Sequence, residues 1–123
     1  GVCWARNKIQ ELYDDEEFHL QLDSHHRFAE HWDHTCKNMI RLLKKDGHKK
    51  PLLTGYIPSY NPENDPGERI HVPWKMAFDR FIPEGAVFFI PTSIDEWQGL
   101  DRPVPARFFS AHFVFTNGKW IVV

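Results

Sequence analysis

An α/β fold with long loops is the class this chain predicts, and three observations predict it. The first fifty residues alternate helical and strand periodicity, in the order helix, strand, helix. The remainder carries short apolar strand candidates separated by loops rich in Pro and Asn. A composition of 41% hydrophobic and 15% aromatic over 123 residues is enough for one packed core.

From Val2 to Tyr13 the apolar residues Val2, Ala5, Ile9, Leu12 and Tyr13 keep the three-and-four spacing of one helical face. Asp14-Asp15-Glu16-Glu17 breaks that pattern, and a run of four acids is the composition of a solvated loop rather than of an acid/base couple. Phe18, Leu20 and Leu22 then alternate with His19, Gln21 and Asp23, the period of a strand that ends at Asp23. Trp32, Cys36, Met39, Ile40 and Leu43 return to helical spacing, and Lys44-Lys45-Asp46-Gly47 closes that helix with cations and a glycine. Leu52 to Ile57 is a short strand, and Pro58 to Pro66 cannot continue a sheet. Trp74 to Phe81 and Ala86 to Ile90 are further strand candidates, and Trp97 to Pro105 is a second loop. Arg107 to Thr116 is strongly aromatic, and Asn117-Gly118 signals a turn before a last strand at Trp120-Ile121-Val122-Val123. Loops of this length commonly carry binding surface.

Fifteen Lys and Arg against 17 Asp and Glu leave a charge of −2. That balance argues against a nucleic-acid partner and against an anionic membrane surface. No apolar run approaches the roughly 18 residues of a membrane-spanning helix. Two cysteines are too few for a disulfide scaffold and leave the redox compartment open. Both ends have an interior character: Gly1-Val2-Cys3-Trp4 already lies in a helix, and Trp120 to Val123 is an apolar strand. The chain therefore reads as a single domain, residues 1–123, forming part of a larger one, with a complete small domain as the alternative.

The chemistry is concentrated in Leu20-Gln21-Leu22-Asp23-Ser24-His25, within a region holding five of the eight histidines. A carboxylate leaves the carboxyl end of an apolar strand and an imidazole follows two residues later. Ligands of open α/β sheets bind at that end of the strands. An Asp oxygen with a His nitrogen suits a borderline-hard divalent cation such as Mn²⁺. The same triplet also occurs in strand-to-loop turns that hydrogen-bond nearby backbone, and both readings stand at this point. His31 and His34, one helical turn apart, have the spacing of a second metal pair or of a solvated helix face. Cys36 belongs to the packed face of its helix. Trp74, Trp97 and Tyr60 lie in or beside loops, placed to stack on a sugar or peptide or to pack back on the sheet.

Trp4-Ala5-Arg6, the run Leu20-Gln21-Leu22-Asp23-Ser24-His25-His26-Arg27-Phe28, and Trp32-Asp33 together resemble the donor-binding core of GT-A-type glycosyltransferases. The pattern is most similar to the polypeptide N-acetylglucosaminyltransferases that modify hydroxyproline on a cytoplasmic adaptor protein. It is more distantly similar to the mucin-type polypeptide N-acetylgalactosaminyltransferases. Thr54-Gly55-Tyr56-Ile57-Pro58-Ser59-Tyr60, Asn61-Pro62 and Phe109-Ser110-Ala111-His112-Phe113-Val114-Phe115 extend the likeness, which is most specific before residue 40.

The resemblance implies a Rossmann-like nucleotide-diphospho-sugar transferase domain with a mixed sheet, flanking helices and long loops. It implies a UDP-sugar donor such as UDP-GlcNAc, a hydroxyl acceptor on protein or peptide, and retention of anomeric configuration. Asp23 and His25 stand where the family binds its metal, Mn²⁺ being the expected ion. Arg6, Ser24 and His112 stand on the donor side. At His112 the family usually has a small residue, so the imidazole is a departure. Arg6 also fits a plain surface cation on a polar helix face. A nucleotide-binding strand and loop precede this region in the family, and a later segment often supplies a third ligand, a His. The chain is thus expected to be the central part of such a domain and not to turn over by itself. The residues alone also admit a non-catalytic sugar- or peptide-binding module, or a histidine-rich metal-binding domain.

Overall fold

The computed structural model describes residues 1–120. Helix α1 spans Val2–Gln10, strand β1 Phe18–Leu22, helix α2 Trp32–Lys45 and strand β2 Leu52–Thr54. Strands β3 and β4 span Trp74–Phe81 and Val87–Ser93, and β5 spans Phe113–Asn117. Short 3₁₀ turns cover Trp97–Gly99 and Gly118–Trp120.

The alternation in β1 and the spacing in α2 build the core. Phe18 and Leu20 pack with Trp32, Cys36, Met39 and Leu43 around Ile40, Leu53 and Phe115. Ile40 is 1% exposed, the centre of the α2 face. Asp33 in the first turn of α2 and Lys44 and Lys45 in its last complement the helix dipole. Gly47 takes φ +99°, a left-handed conformation costly for any residue with a Cβ, and there the Gly47 and His48 amides close on the Lys44 and Leu43 carbonyls.

The sheet order is β1-β5-β2, with β5 antiparallel to both neighbours. β1 and β2 therefore run parallel, joined through α2 as in an α/β crossover, with β5 seated between them. This corrects the expected mixed sheet: among the described residues every ladder is antiparallel, because β1 and β2 never pair directly. β3 and β4 form a separate antiparallel hairpin.

Other differences are local. The helix expected to reach Tyr13 ends at Gln10, and the Leu12 and Tyr13 amides make tighter bonds to the Ile9 and Gln10 carbonyls. Its apolar face is unburied, with Val2 61%, Ile9 62% and Leu12 77% exposed. β2 stops at Thr54, and Tyr56 keeps a single antiparallel bridge to Trp74. Asn117 is the last residue of β5, and Gly118 follows so closely over Glu16 that a Cβ there would lie 2.1 Å from its carbonyl oxygen. The expected last strand lies, from Ile121 onward, outside the described residues.

Candidate metal centre and cleft

The register of β1 on β5 builds the site. Leu22 pairs with Phe113, and the Asp23 amide continues the ladder by donating to the His112 carbonyl at 3.3 Å. Asp23 and His112 are thereby opposite residues of one antiparallel pair, whose side chains share a face. His112 Nδ1 donates to Asp23 Oδ2 at 2.7 Å, and Arg6 Nη2 stands 3.5 Å from Asp23 Oδ1. The hydrogen bond from His112 holds the Asp23 carboxyl below its ordinary range, with the charges of Arg6 and His25 adding to it against a smaller opposing effect of burial. Asp23 is thus an anion facing a cation and two imidazoles.

The backbone turns just after Asp23. His26 Nδ1 donates to the Asp23 carbonyl at 3.0 Å, since a carbonyl only accepts, which leaves Nε2 as the lone-pair nitrogen. That Nε2 is buried without a partner among the described residues, and burial lowers the pKa of the ring. His25 is exposed, its ring centroid 5.6 Å from that of His112. Asp23, His25 and His112 each offer one ligand atom, and these atoms lie within 4.8 Å of one another. One carboxylate oxygen with imidazole nitrogens is a donor set suited to a divalent cation of the Mn²⁺ to Zn²⁺ series.

A cleft of about 450 Å³ opens from this group. His25, His26 and His112 line one end, and Tyr56, Tyr60 and Trp74 supply aromatic wall. Tyr56 stacks on His112 with centroids 4.7 Å apart and planes 11° apart, and lies nearly parallel to Trp74 at 6.3 Å. At the far end the Arg27 guanidinium sits 5.4 Å from the Tyr60 ring centre, and Arg69 is forked onto Asp65. The fork lowers the Asp65 pKa and ties the loop that forms this wall.

The sequence-predicted residues separate accordingly. Asp23, His25, Arg6 and His112 converge, and Ser24 lies exposed between the first two. Trp74 and Tyr60 join the cleft wall, while Trp97 sits in a 3₁₀ turn that does not line it. His31 is the exposed cap of α2 beside Glu30, and His34 bonds Asn38 at 2.9 Å, so this pair follows the solvated reading. Cys36 packs in the core as expected. The Asp23–His112 partnership and the stack of Tyr56 on His112 were invisible to spacing, because the partners lie 89 and 56 residues apart.

An α/β chain with a carboxylate–imidazole group at the carboxyl end of a strand, opening on an aromatic cleft, has the parts of an enzyme acting on a polar ligand. Its sequence matches, over residues 1–123, the profile of the family described as Glycosyltransferase (GlcNAc). The match spans the whole chain, and the protein belongs to this glycosyltransferase family. No curated protein and no solved structure matches the chain. Among the described residues no helix is long and apolar enough to cross a membrane.

Proposed function

We propose that the chain is the donor- and metal-binding part of a GT-A-type transferase that moves an N-acetylhexosamine from a UDP-sugar, UDP-GlcNAc by resemblance, to a hydroxyl on protein. The observation that carries this reading is the convergence of Asp23 and His25 beside an aromatic-walled cleft in a chain of the glycosyltransferase family. Asp23 and His25 hold a divalent ion, Mn²⁺ in this reading. When bound, the ion supplies positive charge against the diphosphate as it leaves with the nucleotide. Arg6, close enough to share the Asp23 carboxylate, presents further N–H donors to the same phosphates. Ser24 offers a hydroxyl to the ribose or phosphate, and His112 lies on the donor side. Tyr56, Tyr60 and Trp74 give flat apolar surface for a sugar or an acceptor peptide. Retention of configuration follows from the resemblance.

Titration of UDP-GlcNAc, with and without Mn²⁺, tests the reading. Nucleotide-sugar affinity is expected to rise at least tenfold with the metal, and Asp23→Ala to remove the metal-dependent part while the circular dichroism spectrum is retained. Affinity in Asp23→Ala equal to wild type at saturating Mn²⁺ overturns the metal role. Metal binding indifferent to the nucleotide favours a metal-binding domain, and binding of neither favours a sugar- or peptide-binding module. Parallel titrations with UDP-GalNAc and UDP-glucose rank the donor sugar.

A further inference from the structure

We propose that His112 is the third protein ligand of the metal, so that Asp23, His25 and His112 form a complete two-histidine, one-carboxylate site within this chain. The inference rests on the reading of Asp23 and His25 as metal ligands and adds a residue that neither the sequence pattern nor the family match assigns to that role.

Three observations carry it. First, the sheet register compels the juxtaposition: the Asp23 amide donates to the His112 carbonyl at 3.3 Å, one step beyond the Leu22–Phe113 pair. A slip of one residue would send the two side chains to opposite faces. Second, the spacing of the donors fits a coordination sphere. His112 Nδ1 and Asp23 Oδ2 are 2.7 Å apart. Neighbouring donors of an octahedral ion with bonds of about 2.1 Å are separated by about 3.0 Å. An ion can therefore take the place of the shared proton with a few tenths of an ångström of opening between those two donors. The exposed His25, whose ligand atom lies within 4.8 Å of both, completes the set by closing on the ion. Third, His112 is held in place. Its side chain is 12% exposed against 38% for Asp23, and its ring lies flat on Tyr56. A ligand fixed by packing loses little freedom when it coordinates.

On binding, His112 gives up its Nδ1 proton while Nε2 carries the ring proton, so that the imidazole stays neutral and its Nδ1 lone pair forms the bond to the ion. Asp23 exchanges its hydrogen bond from His112 for a shared cation. Three protein ligands leave the remaining octahedral positions for diphosphate oxygens and water. His26 is outside the ligand set, since the donor atoms that lie together are those of Asp23, His25 and His112.

The test is direct metal binding by the whole protein, in the presence of UDP, read by Mn²⁺ electron paramagnetic resonance and by the visible absorption of Co²⁺. Electron spin-echo modulation on the Mn²⁺ complex counts coordinated imidazoles. Wild type is expected to show two, and His112→Ala one, with affinity at least tenfold weaker. His112→Phe preserves a flat ring against Tyr56 while removing both nitrogens, and is expected to show the same loss with the circular dichroism spectrum retained. His34→Gln, on the solvated face of α2, is expected to match wild type. If Asp23→Ala and His25→Ala abolish binding while wild type and both His112 variants alike show one imidazole and the same affinity, the proposal fails and the two-residue metal reading stands. If wild type binds neither metal, both fail together.

Discussion

Asp23 gathers four interactions onto one residue: its amide to the His112 carbonyl, its carbonyl to His26, and its two oxygens toward His112 and Arg6. Each partner comes from a different stretch of chain, so the carboxylate is oriented before any ligand arrives. The aspartate and the neighbouring His25 were legible because strand periodicity ends at Asp23 and places both at a strand's carboxyl end. His112 was legible only as a departure from a family pattern. Its ladder is set by residues such as Thr54, whose hydroxyl accepts from the Ser110 amide and donates to the Ser110 carbonyl, both at 2.9 Å. Ser110 is 8% exposed, so those backbone groups have little access to water once Thr54 is lost. Thr54→Val keeps the shape and deletes both bonds, and is expected to lower stability by about 1–3 kcal/mol. A urea midpoint equal to wild type would count against this role.

β1 shows how one strand serves two environments. Phe18 and Leu20 pack toward α2 and the core, while His19, Gln21 and then Asp23 project from the other face. His19 pairs with Thr116, and burial pushes its imidazole pKa below the ordinary value, with Glu16 opposing in part. The unfolded chain therefore binds a proton more readily than the folded one. Stability is full above the unfolded value of about 6.5 and declines as pH falls through it toward the lower folded value. Urea midpoints at pH 7.5 and pH 5.5 are expected to differ less in His19→Gln than in wild type, and an unchanged difference would exclude His19 as the source. α2 was legible in full, through its apolar spacing and its glycine stop. α1 was legible as a helix, yet its apolar face is exposed, because periodicity reports a face and not what covers it.

Across the whole molecule the order of stability follows the topology. β5 is central in its sheet, and Val114, Phe115 and Thr116 are all at most 3% exposed. The β3–β4 hairpin has no residue in the buried class and leaves Phe78, Phe81 and Phe88 at 47%, 68% and 45% exposed. Two-stranded hairpins without a covered face are marginal in water. Hydrogen exchange is expected to show the β5 amides Val114 to Thr116 as the slowest of the chain, with the β3–β4 amides exchanging well before them. Equal protection in the two sheets would mean that the hairpin is covered in solution. Because Asp23 and His112 sit on the β1–β5 ladder, the candidate site shares the stability of the most protected strand, while the Trp74 wall of the cleft starts the less stable hairpin.

By itself the sequence determined what short-range physics controls: the α2 and β1 periodicities, the Gly47 stop, the proline-rich loop, and a carboxylate–imidazole pair at a strand end. Those features depend on residues within a few positions of one another, where φ/ψ preference and side-chain alternation act directly. The tertiary structure decided the rest. Inserting β5 between β1 and β2 turned an expected mixed sheet antiparallel, and the same insertion brought His112 across from Asp23. Pairing across 89 residues is selected by burying Phe115 between Leu20 and Leu53, a global packing choice that leaves no local period in the chain.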